Sequence, residues 1–219
     1  MGGEWQLALD RQLTGQARLW REQGDLQPRL EHAPALGLSR LEAKLRADAG
    51  RIELSAGAAA DKVGHARLDA SLGFARGEHG WGVPAQAPLT LQASADLPDL
   101  AWLGRLWPQL RLETAGAVQL EARASGTAQQ PQLSGSLAGN GLALRLDEQG
   151  VNLKDGMLRA SFDGDRLNLK ELRLKGGDGS VRATGALPFV GPDPALTLDI
   201  VFDRLQALSR PDRLLVLDG

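Results

Sequence analysis

Apolar side chains occupy every second position over most of this chain. Three clear runs are Trp5, Leu7 and Leu9; Leu142, Leu144 and Leu146; and Leu196, Leu198, Ile200 and Phe202. Successive side chains of a β-strand point to opposite faces, so this alternation predicts strands with one apolar and one polar face. It outweighs a composition of 41 Leu and 31 Ala against 8 Val, 2 Ile and no Tyr, which by propensity alone would favour helices. We therefore predict an all-β chain.

Short polar sequences rich in Gly and Asp separate the runs and predict tight reversals between antiparallel strands. They are Asn140-Gly141, Glu148-Gln149-Gly150, Asp155-Gly156, Asp163-Gly164-Asp165-Arg166 and Gly176-Gly177-Asp178-Gly179. Between Leu169 and Leu172 the apolar phase slips by one residue, which predicts a β-bulge at Lys170-Glu171. Residues 38–49 fit a helix or a strand, and we favour a strand because Ile52, Leu54 and Ala56 continue the alternation.

Two segments depart from the alternation and predict short helices, at 98–108 and 203–210. In the first, Pro98 suits an opening turn, Pro108 ends the run, and Leu100, Leu103 and Trp107 share a helical face. In the second, Asp203 suits an N-cap and Pro211 a stop. We expect Trp102 and Trp107 to pack over the groove or the sheet end, since so short a helix buries too little to anchor a membrane. Trp20 and Trp81 have no assigned role.

A weak internal repeat relates these two segments. Pro108 lies eight residues before Gly116, and Pro211 lies eight before Gly219, an offset of 103 residues. We therefore expect one continuous elongated β array with an N-terminal β unit at 4–97 and a C-terminal β unit at 109–219. Residues 1–3 resemble an expression start, and 214–219 read as a strand that opens a new unit, so we expect a fragment excised from a longer chain.

The predicted apolar face is mostly Leu, with Ala and Gly between. Small residues relieve crowding where a sheet bends, so this mixture favours a strongly curved sheet, with a plain closed sandwich or barrel as the alternative. The pattern leaves both possibilities open.

Composition and motifs argue against several classes of function. A formal charge of -2 gives no basic patch for nucleic acid, and the longest aliphatic run, Leu214–Leu217, is too short to span a membrane. The chain has no Cys, and His32, His65 and His79 lack metal-ligand spacing. Asp163 and Asp165 could bind calcium weakly, but solvated turn residues are the better interpretation. No nucleophile elbow or phosphate loop occurs, so we expect no enzyme, metal or cofactor.

The ordered succession of short segments in the second half resembles the C-terminal domain family of TamB, the translocation and assembly module. The segments are Ala128–Leu137, Gly141-Leu142, Gly150-Val151-Asn152-Leu153, Gly156-Met157-Leu158, Leu167-Asn168-Leu169, Gly177–Leu187, and Asp203-Arg204-Leu205 with Arg210–Leu214 and Gly219. The resemblance is strong over 116–219 and diffuse over the first hundred residues.

Membership would imply a U-shaped β-taco with an apolar groove, in a periplasmic protein tethered to the inner membrane by a segment outside this sequence. It would imply phospholipid transport to the outer membrane, or assistance to outer-membrane protein assembly with the barrel partner TamA and unfolded client strands. The alternating positions become the candidate lipid- or client-facing groove: Leu142, Leu144, Leu146, Leu158, Ala160, Phe162, Leu167, Leu169, Leu172, Leu174, Val181, Leu196, Leu198, Ile200 and Phe202. A structural β-solenoid of the adhesin type, without lipid function, is the alternative, and a small periplasmic hydrolase is a weaker third.

Overall fold

The computed structural model describes residues 1–9, 13–24, 37–77, 80–188, 195–210 and 213–218, except the side chains at 207–210 and 213–214. The chain is almost entirely β-structure, as the alternation predicts. The strands are β1 (Gly2–Leu9), β2 (Leu13–Trp20), β3 (Leu38–Asp48), β4 (Arg51–Ala60), β5 (Gly64–Gly73), β6 (Ala75–Gly77), β7 (Gly80–Gly82), β8 (Leu89–Leu97), β9 (Leu112–Gly126), β10 (Pro131–Leu146), β11 (Val151–Gly164), β12 (Arg166–Gly176), β13 (Gly179–Pro188), β14 (Thr197–Asp203), β15 (Leu205–Arg210) and β16 (Arg213–Leu217).

Twelve strands form one antiparallel sheet in the order β1-β2-β3-β4-β5-β8-β9-β10-β11-β12-β13-β14. Each strand pairs with its neighbour in sequence, except that the β6–β7 hairpin is inserted between β5 and β8. The hairpin of β15 and β16 forms a separate two-stranded sheet. Within the described residues β1 and β14 do not pair with each other, so this sheet is open and has two edges.

The first predicted helix exists but is shorter than expected. Helix α1 covers Ala101–Gly104, and a turn of 3-10 helix follows at Pro108–Leu110. Pro108 therefore opens a helical turn instead of ending one, as suits a residue with fixed φ and no N–H to pair.

The second predicted helix, at 203–210, is wrong, because these residues form the end of β14 and all of β15. Asp203 ends β14 and caps no helix, and the β15–β16 register slips between Gln206 and Leu208, which marks a β-bulge in this hairpin. The apparent repeat between the two segments is therefore not a repeat of secondary structure.

The tightest predicted reversals are confirmed. Gly164-Asp165 and Gly177-Asp178 form two-residue turns that close β11–β12 and β12–β13. The bulge at Lys170-Glu171 is also confirmed by the register shift between Leu169 and Leu172.

Two predicted reversals are wrong. Asn140-Gly141 and Asp155-Gly156 are bulges inside the long strands β10 and β11, with positive φ at Gly141 and Asp155. These bulges lie against each other, since Leu142 pairs with Gly156. The same residue types therefore produced a bend within each strand where we expected a turn.

The connection between β8 and β9 and the β15–β16 hairpin leave the sheet at the same end. We call it the helix end: it is where β9 begins, β10 ends and the Gly177-Asp178 turn lies. The turns at Asp48–Arg51 and Gly164-Asp165 lie at the opposite end.

Candidate functional site

The strand register places the predicted groove residues of β10 to β14 on one face of the sheet, because directly opposite residues of an antiparallel pair project to the same side. The pairs that establish this are Leu144 with Leu153, Leu158 with Leu172, Ala160 with Leu169, Phe162 with Leu167, Leu174 with Val181, and Val181 with Phe202. Leu196 directly precedes β14. We call this side of the sheet the apolar face, and the other the polar face.

The apolar face continues through the first half of the chain. One row runs across eight adjacent strands through Trp5, Ala17, Leu45, Leu54, Ala70, Leu91, Ala124 and Leu133. The predicted groove residues lie only in the second half of the chain, although both halves show the alternation. Only the register shows that the two series meet on the same side of one sheet.

No charged side chain lies on the apolar face within the described residues of the twelve strands. The register sends Glu4, Arg67, Arg123, Arg159 and Arg182, like the other charged residues of these strands, to the polar face. Thr114, opposite Leu144, brings a hydroxyl to the apolar face. The surface is therefore suited to hydrocarbon and offers no counter-charge to an ionic ligand.

Little of the described chain covers this face. The buried apolar residues number seven, and four of these are alanines of the apolar face shielded by larger neighbours: Ala47, Ala124, Ala160 and Ala183. No large side chain in the described part of the protein is fully buried, and no polar or charged residue is buried. Leucines of the interior strands, such as Leu54, Leu120 and Leu172, are half-buried by their neighbours within the sheet.

The helix end of the described sheet is partly covered. Thr114 ties α1 to β9, since its hydroxyl donates to the Leu100 carbonyl at 2.7 Å and accepts from the Gly104 N–H at 3.2 Å. Leu205 of β15 is 3% exposed and packs near Gly176 and Leu153. The α1 segment and the C-terminal hairpin therefore close one end of the apolar face and leave its middle open.

The tryptophans have different settings. Trp102 of α1 is half-buried, and its indole N–H is buried without a hydrogen-bond partner, whereas Trp107 is exposed. Trp81, in β7 of the inserted hairpin, stacks on Phe74 with ring centroids 5.7 Å apart. Trp20 lies on the polar face, where the Arg18 guanidinium sits 5.9 Å from its ring centroid. Of the four, Trp102 is the one whose position fits packing at the sheet end.

The polar face is held by ion pairs between and along strands. Glu42 of β3 contacts the Lys44 ammonium at 2.7 Å, the Arg40 guanidinium at 3.1 Å and the Arg18 guanidinium of β2 at 3.3 Å. These hydrogen bonds from three cations, that of Lys44 foremost, lower the pKa of Glu42 from 4.5 to about 2. Arg67 likewise lowers the pKa of Asp69.

We expect the Glu42 carboxyl to titrate near pH 2. Because its pKa is lower in the folded state, its contribution to stability is present above the unfolded value of 4.5 and is lost as the pH falls through about 2. Carboxyl-carbon NMR across an acid titration measures this directly. Lys44→Gln should raise the pKa of Glu42, whereas the control Lys62→Gln, in an exposed turn, should leave it unchanged. An unshifted Glu42 in the wild-type protein would contradict the ion-pair geometry.

A groove of about 1170 Å³ crosses eight strands on the polar face. Its lining takes polar-face residues such as Arg18, Lys44, Gln92, Arg123 and Ser134 and, between them, seven residues of the row described above: Trp5, Ala17, Leu45, Leu54, Ala70, Leu91 and Ala124. It does not include the apolar-face residues on either side of that row, such as Leu7, Leu72 and Leu89, or any of the predicted groove residues. The predicted lipid-facing residues therefore lie on the side of the sheet opposite this groove. Its walls combine cations, carboxylates and neutral hydrogen-bonding groups and favour no single ligand charge.

The remaining candidate sites carry little chemistry. No group of three or more His, Asp or Glu residues that could hold a metal ion occurs in the part of the chain that the structure describes. His65 lies on the polar face, and His32 and His79 fall outside the described residues. Among the described helices, none has the length and hydrophobicity to cross a membrane.

Comparison with protein-family models, with curated proteins and with solved structures finds no match.

Proposed function

We propose that this chain is a lipid-handling module whose apolar face takes up phospholipid acyl chains. The observation that carries the proposal is a continuous, uncharged apolar face across twelve strands with no second layer over its middle within the described residues. A sheet of this size ordinarily packs such a face against helices or another sheet. Hydrocarbon from a lipid is a chemically suitable cover where the described chain supplies none.

The energetics favour acyl chains over a ligand with a specific head group. Each methylene removed from water contributes about 0.8 kcal/mol, so a tail laid along several leucine rows is held without polar contacts. Head-group recognition needs converging Arg or Lys side chains, and these lie on the polar face. We therefore expect uptake with little head-group selectivity, which also lets a lipid leave each position as readily as it enters.

The resemblance to the TamB family supplies the cellular part of this proposal. We place the module in the periplasm, tethered to the inner membrane in the full-length protein, with lipid moving between the inner and outer membranes. A U-shaped curve of the sheet would turn the apolar face into the inside of a conduit. An outer-membrane barrel resembling TamA, and unfolded outer-membrane protein strands as additional clients, are the partners that this resemblance suggests.

Site-specific photocrosslinking tests the proposal. A photoreactive residue at Leu144, Leu169 or Val181 should label lipid from vesicles of either phosphatidylethanolamine or phosphatidylglycerol. The matched positions Arg145, Lys170 and Arg182 are adjacent in sequence and point to the polar face, so they should label weakly. Equal labelling from both faces, or labelling by only one of the two lipids, would contradict uptake by the apolar face.

The alternative function, a structural β-solenoid, is less consistent with the observed pairing. Solenoids stack parallel strands in rungs of constant length, whereas every pair in this sheet is antiparallel and strand lengths range from 7 to 16 residues. A purely structural module would also show no facial preference in the crosslinking experiment.

A further inference from the structure

Two pairs of like-charged residues lie opposite each other on the polar face, in the second half of the sheet. Arg173 of β12 is directly opposite Arg182 of β13, and Lys154 of β11 is directly opposite Lys175 of β12. Arg173 and Lys175 are two residues apart on one strand, so the two pairs are adjacent. Like charges in directly opposite positions repel and destabilise a sheet. We call these four residues the cationic cluster.

Most of the charge of the cationic cluster has no partner of opposite sign. Among the described residues, its members make one ion pair, in which the Lys175 ammonium lies 3.2 Å from the Asp155 carboxylate. On β14, Asp199 and Asp203 occupy the two positions diagonal to Arg182, but neither makes an ion pair with it within the described part of the chain. The cluster therefore carries an excess of positive charge that the described residues do not neutralise.

Arg173 also has an unused hydrogen-bond donor. Its side chain is half-buried, and its Nε–H is buried without a partner. The residue opposite it on β11 is Met157, which offers no strong acceptor, and Glu171 of its own strand pairs with Arg159 at 3.9 Å. A buried donor of a charged group that lacks an acceptor is costly. An acceptor from outside the sheet would remove this cost once the Arg173 side chain turns to meet it.

We infer that the cationic cluster is a binding site for a phosphate group. The guanidinium groups of Arg173 and Arg182 can each donate two parallel hydrogen bonds to phosphate oxygens, and the Lys154 ammonium adds a further charge. A dianion between the two arginines replaces their repulsion with two attractions, and it supplies the acceptor that the Arg173 Nε–H lacks. A carboxylate has one charge and two oxygens, so it satisfies the cluster less completely.

The site and the apolar face lie on opposite sides of the sheet, so phosphate binding and acyl-chain uptake stand or fall independently. The phosphate group can belong to a soluble phosphate ester or to a phospholipid head group at a membrane surface. Both sources present the same oxygens to the cluster.

A titration with inorganic phosphate is the first test. In nitrogen-15 NMR spectra of the arginine side chains, the Nε–H signal of Arg173 should move to a saturable end point as phosphate is added at constant ionic strength. Arg182→Gln should weaken the affinity roughly tenfold or more, because it removes one of the two guanidinium groups. Arg123→Gln is the matched control and should bind as the wild type does. Arg123 also lies on the polar face, but its directly opposite neighbours are the uncharged Gln92 and Ser134.

Urea unfolding is a second readout, with phosphate kept too dilute for general salt effects. Without phosphate, Arg182→Gln should be as stable as the wild type or slightly more stable, because a repulsion is removed. Added phosphate should raise the unfolding midpoint of the wild type and of Arg123→Gln and leave that of Arg182→Gln nearly unchanged. An Arg173 signal that does not move, a shift that acetate reproduces at the same concentration, or equal stabilisation of Arg182→Gln by phosphate would refute the site.

Vesicle flotation then identifies the source of the phosphate group. Vesicles of phosphatidylcholine with phosphatidic acid present phosphate monoesters, whereas vesicles of phosphatidylcholine alone do not. Stronger flotation of the wild type with the first kind, lost in Arg182→Gln, would assign the site to a lipid head group. Equal flotation with both kinds, together with binding of free phosphate, would assign it to a soluble ester. The two kinds share their acyl chains, so uptake by the apolar face contributes equally to both.

Discussion

Gly156→Val should lower the midpoint of urea unfolding by the largest amount of any single change considered for this sheet. Gly156 is buried in the bulged part of β11, where a Cβ would lie 2.6 Å from the Leu142 carbonyl oxygen, the Leu142 Cβ and the Leu174 Cδ2. The Leu142 side chain cannot move away without moving its backbone, so the strands must separate. Overpacking of this kind costs about 1–3 kcal/mol or more, and we expect the upper part of that range.

Gly57→Val is the matched control. Gly57 lies inside β4 on the polar face, and its nearest neighbour to a new Cβ is the Ala66 carbonyl oxygen at 3.9 Å, an ordinary contact distance. Valine suits a strand better than glycine, so this variant should be as stable as the wild type or slightly more stable. Equal unfolding midpoints for the two variants would mean that the close packing of Leu142 and Leu174 over Gly156 does not exist in solution.

Leu172→Asp should abolish most acyl-chain binding while the sheet remains folded. Leu172 is half-buried on an uncovered face, so a carboxylate there stays hydrated and the change costs about 1–2 kcal/mol of stability, part of the value of a fully buried leucine. An acyl chain lying over that carboxylate would remove its water, which is far more costly. We expect affinity for a fluorescent fatty acid to fall roughly tenfold or more. Leu144→Asp should behave in the same way.

Lys175→Ser and Arg145→Ser are the controls for these variants. Lys175 pairs with Asp155 at 3.2 Å and Arg145 with Asp147 at 2.6 Å, both on the polar face and largely exposed. Exposed pairs contribute about 0–1 kcal/mol, so both variants should retain stability and lipid affinity. If Leu172→Asp unfolds the protein, the apolar face is a closed core; if Lys175→Ser is as damaging as Leu172→Asp, the assignment of faces is wrong.

The fold class could be predicted because the side chains of a strand alternate between its two faces, so a strand with one apolar face shows an apolar residue at every second position of the sequence. Leu142, Leu144 and Leu146 are separated by single residues, and no helix places such a series on one side. The bulge at Lys170-Glu171 was predictable for the same reason, since a slipped phase can keep its apolar residues on one face only if an extra residue is accommodated.

Other features depend on information that a local pattern does not contain. Asp203 and Pro211 suggested the start and the end of a helix, and the pairing of residues 203–210 in β14 and β15 is not visible in these local signals. Asn140-Gly141 has the chemistry of a turn and of a bulge alike, and only the partner strand decides between them. The number of layers is likewise invisible, because an apolar face has the same alternation whether it meets another sheet, a lipid or water.

The order of the strands also bears on how the chain reaches this structure. Apart from the inserted β6–β7 hairpin, each strand of the large sheet finds its partner next to it in sequence, so most of the loops that must close during folding are short; the β2–β3 and β8–β9 connections are the longer ones. Proteins dominated by such local pairing fold faster than sheets built from distant strands. A chain of this kind can add its strands one after another along the sequence, and each new strand is templated by the one before it. Stability then accumulates hairpin by hairpin, as it does in repeat proteins, and does not depend on a single central nucleus.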